Sequence, residues 1–234
     1  YEIVVINDGS KDATIDVLRQ EFELFPFPEA CNTQLPTADI RAIYHSSIHA
    51  NLRVIDKENG GKADSLNAGI NLSLYPLFCC IDADSILQPD SLRRAVQPFL
   101  DDHRTVASGG TVRIANGCRV ENGFLTKIGL PANPLALFQI VEYLRAFLFG
   151  RLGWSPMNAM LIISGAFGIF RKEAVVTVGG YRSDTIGEDM ELVVRLHRHL
   201  RLGNKPYRIT FVPDSVCWTE APEDLRTLKN QRIR

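Results

Sequence analysis

Leu77-Phe-Cys-Cys-Ile81 followed by Asp82-Ala-Asp84 is the stretch on which the reading of this chain turns. Five apolar residues without alternation suit a strand covered on both faces, as in a parallel sheet. Two carboxylates stand at its carboxyl end. Upstream, Asn59-Gly60-Gly61 turns the chain into a helix expected from near Lys62, and residues 52–55 read as a short strand. At the start, residues 2–6 form a β-branched run ending in Asn7-Asp8-Gly9-Ser10, and residues 12–22 place Ile15, Leu18 and Phe22 on one helical face. From 26 to about 52 the periodicity fails, and Pro26, Pro28 and Pro36 punctuate a long connection. Downstream, Pro89 opens a helix to about Leu100, and residues 106–114 and 166–170 read as strands. A helix starts near Glu188 and ends before Gly203, a last strand covers 207–212, and a last helix covers 223–232. Strand and helix alternate through the first half, which predicts an α/β sandwich on a largely parallel sheet. Ligands of such sheets bind beyond the carboxyl ends of the strands, where Asp8, Asp82 and Asp84 all fall.

The 234 residues amount to one large domain or two small ones. With 45% hydrophobic and 23% charged residues, disorder, collagen and coiled coil are excluded as the main reading. Lys+Arg number 26 against 27 Asp+Glu, so no global basic excess points to nucleic acid, and none is expected as a partner. The cysteines Cys31, Cys79, Cys80, Cys118 and Cys217 are odd in number and form no C-x-x-C pair. That speaks against a disulfide framework or a zinc site and suits a reducing compartment. No basic-then-apolar leader is visible, and both ends look cut, as in an excised piece of a longer protein. No run reaches the roughly 18 apolar residues of a spanning helix. The closest covers 135–149, where Glu142 and Arg145 form a candidate intrahelical pair and Leu137, Val141, Leu144 and Leu148 follow helical spacing. It reads either as a core-packing helix or as a helix lying against a membrane.

Each chemistry-bearing group has two readings. Asp82 and Asp84 suit a divalent metal with oxygen ligands, Mg²⁺ above all, or a solvated turn whose aspartates cap the next segment. Lys62 opposes the dipole of its own helix, a conflict that a bound phosphate would relieve; otherwise it is a surface lysine after a turn. Gly187-Glu188-Asp189 opens a helix where acids are favourable by dipole alone. Gln231 and Arg234, three apart, would face one way on a helix, with Arg suited to phosphate.

In order, the blocks are Val5-Ile-Asn-Asp8-Gly-Ser10, Glu58-Asn-Gly-Gly-Lys62-Ala-Asp-Ser-Leu-Asn67-Ala-Gly69, Asp82-Ala-Asp84, Ser164-Gly-Ala-Phe-Gly-Ile-Phe170, Gly187-Glu-Asp189 and Gln231-Arg-Ile-Arg234. Together they resemble the family 2 glycosyltransferases, in particular the membrane-embedded processive synthases of cellulose, hyaluronan and poly-N-acetylglucosamine. The resemblance implies a GT-A fold, Rossmann-like, with a mixed, mostly parallel sheet flanked by helices. It implies one catalytic domain fragment over 1–234, truncated at both ends, with about 1–110 binding the nucleotide sugar and about 111–234 the acceptor. It assigns Asp8, Lys62, Asp82 and Asp84 to a UDP-sugar, and Asp84 to a Mg²⁺ or Mn²⁺ ion on its diphosphate. Asp189 becomes the catalytic base with Glu188 beside it, and Ser164, Gly165, Gln231 and Arg234 serve the glycan acceptor. It implies an inverting transfer at the cytoplasmic face of the cell membrane, within a multi-pass protein whose membrane segments lie outside this chain. The chain departs from the pattern in lacking the family's first strand before Tyr1 and the Trp after Arg234. The rival readings are a non-processive transferase with a lipid-linked acceptor, a glycoside hydrolase and an inactive sugar-nucleotide-binding module.

Overall fold

The computed structural model describes residues 1–29 and 33–233. The first elements along the chain are β1 (Ile3–Asp8), α1 (Thr14–Glu21), β2 (Leu24–Pro26), β3 (Ile40–Ser46), β4 (Leu52–Lys57) and α2 (Lys62–Leu72). Next come β5 (Leu77–Ile81), β6 (Ile86–Leu87), α3 (Ser91–Asp101), β7 (Thr105–Ile114), β8 (Arg119–Glu121) and β9 (Phe124–Lys127). After these stand α4 (Pro134–Leu144), a π-helical segment (Arg145–Arg151), α5 (Leu152–Trp154), β10 (Phe167–Arg171) and α6 (Lys172–Thr177). The last are α7 (Glu188–Leu202), β11 (Arg208–Thr219) and α8 (Leu225–Ile233). Two compact units result, 1–78 with 172–188, and 79–171 with 189–234.

The first unit is built on a sheet of order β1-β4-β3-β2. β1 and β4 run parallel with Ile3 opposite Leu52 and Asp8 opposite Lys57, so Asp8 and Lys57 end their strands side by side. α2 covers the sheet with Ala68 and Leu72, which bury against Ile43 and Ile55, flanked by Val4, Ile6 and Ile40. Burying such aliphatic side chains is worth roughly 1.5–3 kcal/mol each. Asn67 on α2 fastens the turn after α6: its Nδ2 donates to the Tyr181 carbonyl at 2.9 Å and its Oδ1 accepts from the Tyr181 amide at 2.8 Å. Gly180 passes that clamp at φ +73°, and a Cβ there would stand 2.5 Å from Asn67 Oδ1, so the turn requires glycine.

The second unit is built on a sheet of order β5-β10-β7-β11-β6. β7 lies at its centre, antiparallel to β10 and parallel to β11. Leu192, Val193 and Leu196 of α7 are fully buried, and so are Phe167 of β10 and Ile209 of β11. Gly110 of β7 is in close contact with the Phe167 ring, which a Cβ would meet at 2.4 Å.

The mixed α/β class is as expected, with less parallel pairing than expected. β1·β4 and β7·β11 are parallel, whereas β2·β3, β3·β4, β7·β10 and β6·β11 are antiparallel. Strands joined without a crossover helix, such as β3 and β4, must return antiparallel. Several elements escaped or outran the sequence pattern, the short strands β2 and β6 among them. β3 lies in the stretch read as a connection; its side chains do not alternate, and it is held by strands on both sides. β8 and β9 form a hairpin around Asn122 and Gly123, both at positive φ. β11 continues past Val212 through an irregularity in its register with β7, well beyond the strand expected over 207–212. Pro89 precedes the N-cap Asp90 of α3 rather than opening the helix. β5 is an edge strand on which only Cys80 is buried, not a strand covered on both faces.

The apolar run 135–149 is helical to Leu144 and then winds into the π-helical segment. Its spaced leucines do not build the core, because Leu137, Val141 and Leu144 face outward. Inward lie Ala136, Gln139, Phe147 and Arg151, with Gln139 Nε2 bonded to the Leu135 and Pro222 carbonyls. Glu142 pairs with Arg232 of α8 through two hydrogen bonds of 2.8 and 2.5 Å, not with Arg145. The Arg232 guanidinium meets the carboxylate two-pronged, one nitrogen on each oxygen. Among the described residues no helix is long and apolar enough to cross a membrane.

Candidate active site

In the first unit the chemistry gathers where β1 and β4 end. The Asp8 carboxylate accepts four hydrogen bonds. Lys57 Nζ at 2.6 Å and the Gly60 amide at 2.9 Å reach Oδ1, and the Gly61 amide at 2.8 Å and Asn59 Nδ2 at 3.3 Å reach Oδ2. Burial works to raise its pKa, but Lys57 and the two glycine amides outweigh it and hold the carboxyl below its ordinary value. Lys57, fully buried, also pairs with Asp64 Oδ1 at 2.6 Å and donates to the Glu58 carbonyl. Burial works to lower its pKa, and Asp64 and Asp8 more than offset this. Asp64 in turn accepts the Ala38 amide at 2.9 Å. The sequence argued for an anion at the N-terminus of α2, and the amides just before that helix do hold one. It is the protein's own Asp8 carboxylate. Lys62 opens the helix immediately beyond, so Asp8 fixes the loop that presents Lys62. Lys57 was not foreseen; in a strand that also carries Arg53 and Asp56, nothing local set it apart.

In the second unit Asp82, Ala83 and Asp84 form a turn between β5 and β6, closed by the Ser85 amide on the Asp82 carbonyl at 3.0 Å. β6 pins the turn by pairing Leu87 with Cys217 and Ile86 with Trp218 on β11. The Cys217 thiol is pushed up to about 11, first by burial and further by the fields of Asp82 and Asp84, with a Ser85 hydrogen bond opposing. Asp82 is half-buried and Asp84 is exposed, so the burial cost expected of carboxylates at an apolar strand end does not arise. Instead Asp84 presents its oxygens to solvent, with the Ser85 hydroxyl 3.4 Å from Oδ1. Among the described residues no group of three or more His, Cys, Asp and Glu side chains could hold a metal. One or two exposed carboxylates fit a hard cation that takes its other ligands from substrate phosphates and water, as Mg²⁺ does. They do not fit a closed structural site. Cys79, Cys80, Cys118 and Cys217 form no disulfide among the described residues, and Cys31 lies outside them.

Asp189 stands in the first turn of α7, where the helix dipole favours a carboxylate. Its Oδ2 accepts the Gly165 amide at 3.2 Å and its Oδ1 accepts the Met190 amide at 2.8 Å. Two blocks far apart in sequence, Ser164-Gly165 and Glu188-Asp189, thus meet at one carboxylate. Gly187 enters the helix at φ +87°, a conformation that favours glycine. Ser164, Gly165, Glu188 and Asp189 are all partly exposed, as groups that meet a ligand must be. The segment before Ser164 is anchored by His197, buried on α7, whose Nε2 meets the Met160 carbonyl at 2.7 Å and whose Nδ1 meets the Tyr207 hydroxyl at 2.6 Å. Gln231 is exposed on α8, and Arg234 lies outside the described residues. Its neighbour Arg232, which the sequence did not single out, ties α8 to α4 through Glu142.

A sheet-and-helix scaffold of this kind, with an acidic turn after β5 and an acid opening α7, is a GT-A glycosyltransferase fold. Its likeness to a mannosyltransferase from Pyrobaculum calidifontis, solved in complex with GDP-Man and Mn²⁺, has a TM-score of 0.61 at 19% identity, covering 99% of this chain and 51% of that one. Residues 77–234 match the family described as Glycosyl transferase family group 2, and the chain belongs to that family. It is 32% identical over 235 residues to the poly-beta-1,6-N-acetyl-D-glucosamine synthase of Staphylococcus aureus (strain COL), covering 100% of this chain and 46% of that protein. The synthase of the same name from Staphylococcus epidermidis is 29% identical over 234 residues, again at 100% and 46%. The chain therefore spans about half the length of the curated relatives it matches.

Proposed function

We propose that this chain is the catalytic domain of an inverting, processive transferase that adds sugar from a UDP-sugar to a growing glycan, with N-acetylglucosamine as the sugar transferred. The sugar follows from the relatives' name. The observation that carries the mechanism is the bond from the Gly165 amide to Asp189, which joins an acceptor block to a candidate base. Asp189 takes the proton of the acceptor hydroxyl. The hydroxyl oxygen then bonds to the anomeric carbon, while the carbon–oxygen bond to the diphosphate breaks and its electron pair leaves with UDP. No second carboxylate is placed as a nucleophile, so one displacement turns an α-linked donor into a β-linkage. Lys62, presented by the loop that Asp8 holds, offsets charge on the leaving group. Asp84, with Asp82 beside it, would hold Mg²⁺ or Mn²⁺, which would supply Lewis-acid charge to the diphosphate oxygens. Glu188 supports the helix start, and Gln231 with Arg234 serves the acceptor.

The outward face of α4 and α5, with Phe138, Val141, Leu144, Leu152 and Trp154 exposed, supports a seat against the cytoplasmic face of the cell membrane. In this reading the membrane-spanning segments lie outside the chain. The test is polymer synthesis from radiolabelled UDP-N-acetylglucosamine by the full-length protein in native membranes. Acid-insoluble radiolabel accompanied by equimolar UDP is the expected result. UDP release without polymer, or label confined to a short lipid-linked product, would replace this reading with the non-processive one.

A further inference from the structure

α8 is nine residues long and buries none of its side chains, so apolar packing does not orient it. A helix so short also has little stability of its own. Polar ties orient it instead. At its base, Asn116 Nδ2 donates to the Ala221 carbonyl at 3.0 Å, and Asn116 Oδ1 accepts the Ala221 amide at 2.7 Å. Asn133, the N-cap of α4, donates to the Glu223 carbonyl at 2.9 Å. Gln139, buried on α4, donates to the Pro222 carbonyl at 2.8 Å. At the far end, Arg232 reaches back to Glu142 of α4 with one nitrogen on each carboxylate oxygen. The bond to Arg232 holds the Glu142 carboxyl below its ordinary value, against the opposing effect of burial. α4 therefore grips both ends of the segment 222–232. Gln231 stands one residue before Arg232, about 100° round the helix, so fixing Arg232 fixes the direction in which Gln231 is presented.

We propose that Glu142 is a positioning residue for the glycan acceptor: its two-pronged bond to Arg232 sets the last turn of α8, so that Gln231 holds the end of the growing chain. This rests on the reading of Gln231 as an acceptor ligand. Without the pair, the base of the segment stays tied while the end of α8 frays, as unsupported helix ends do. Gln231 then samples many directions, and a chain held less firmly leaves after fewer additions. The groups assigned to the donor, Asp8, Lys62, Asp82 and Asp84, lie on other elements and keep their places. The Arg232 and Glu142 side chains are 51% and 40% exposed, and an ion pair so open to water adds little to the stability of the fold. What it contributes is the orientation of one short helix.

The experiment measures mean product length, donor KM and melting temperature for the full-length protein reconstituted in lipid nanodiscs with radiolabelled UDP-N-acetylglucosamine. The variants are E142R, R232E, the exchange variant E142R/R232E, and Q231A. E142R and R232E should each shorten the product about threefold or more and leave donor KM within about threefold. Their melting temperatures should stay within about 3 °C of the unmodified protein. The exchange variant remakes the pair with its charges swapped and should return product length to within about twofold of the unmodified value. Unchanged product length in E142R overturns the proposal, as does an exchange variant whose product is as short as that of the single variants. So does a donor KM that rises as much as product length falls, or an E142R protein that melts well below that range or fails to fold. Normal product length in Q231A would instead overturn the acceptor reading of Gln231 itself, whatever Glu142 does.

Discussion

Replacing Lys57 by Met tests the reading that the first unit is organised around a buried cation. Lys57 Nζ contacts Asp8 and Asp64 at 2.6 Å each, and the two carboxylate side chains are only 23% and 16% exposed. Methionine fills a similar volume, so the loss is electrostatic rather than a cavity. Removing one partner of a buried ionic group costs about 3–5 kcal/mol, because the remaining charges lose their compensation. Asp8 keeps its Gly60, Gly61 and Asn59 bonds, which places the expected cost near the lower end, about 3 kcal/mol. For a chain of this length that is a fall in melting temperature of roughly 6–12 °C. Asp8 is depressed in the folded state, so its contribution to stability is present above the unfolded carboxylate value near 4 and is lost as pH falls through the folded value. In K57M that acid dependence should shrink. Thermal melts followed by circular dichroism between pH 3 and 8 would measure both effects. A K57M protein that melts within about 2 °C of the unmodified one at pH 7 would refute the reasoning.

Calorimetric titration with UDP should show tighter binding in Mg²⁺ or Mn²⁺ than in chelator, and D84N should remove that gain; equal affinity in all conditions would exclude Asp84 as the metal's ligand. Burial lowers the pKa of His197, with Arg201 adding to it and the Met160 carbonyl opposing. Its neutral ring therefore stabilises fully above the unfolded value near 6.5 and progressively less as pH falls below it. Melting temperature should drop through that window, and H197Q should flatten the drop; an unchanged slope in H197Q would place its cause elsewhere. Phe138→Glu with Val141→Glu on the outward face of α4 should weaken binding of the protein to anionic phospholipid vesicles in a flotation assay, with the melting temperature unchanged. Undiminished flotation would show that this face does not meet the bilayer.

Where local pattern and final structure agreed, the cause was a short-range signal. The apolar run of β5, the Gly-Gly turn into α2 and the acids opening α7 each specify their element within a few residues. β3 gave no such signal, because its half-buried side chains depend on strands that arrive from either side. The hairpin at Asn122-Gly123 did carry a turn signature, and the shortness of its strands, three and four residues, obscured it. Asp82 and Asp84 were legible as candidates because carboxylates at the end of an apolar strand stand out, and Asp189 because acids cluster where α7 opens. Lys57 was not, because it stands in sequence between Asp56 and Glu58, and only the fold brings Asp8 and Asp64 to it. The α4 leucines misled for a related reason: helical spacing shows that a face exists, and packing decides whether it turns in or out.

The central claim, that Asp189 is the base of a glycosyl transfer, is tested most directly by comparing transfer and UDP binding in Asp189→Asn of the full-length protein. Asparagine keeps the shape and can still accept the Gly165 amide, but it cannot take a proton. The account predicts UDP affinity within about threefold of the unmodified protein and a fall in sugar transfer of about 10²-fold or more, the scale of a lost general base. Near-normal polymer synthesis by that variant would contradict it.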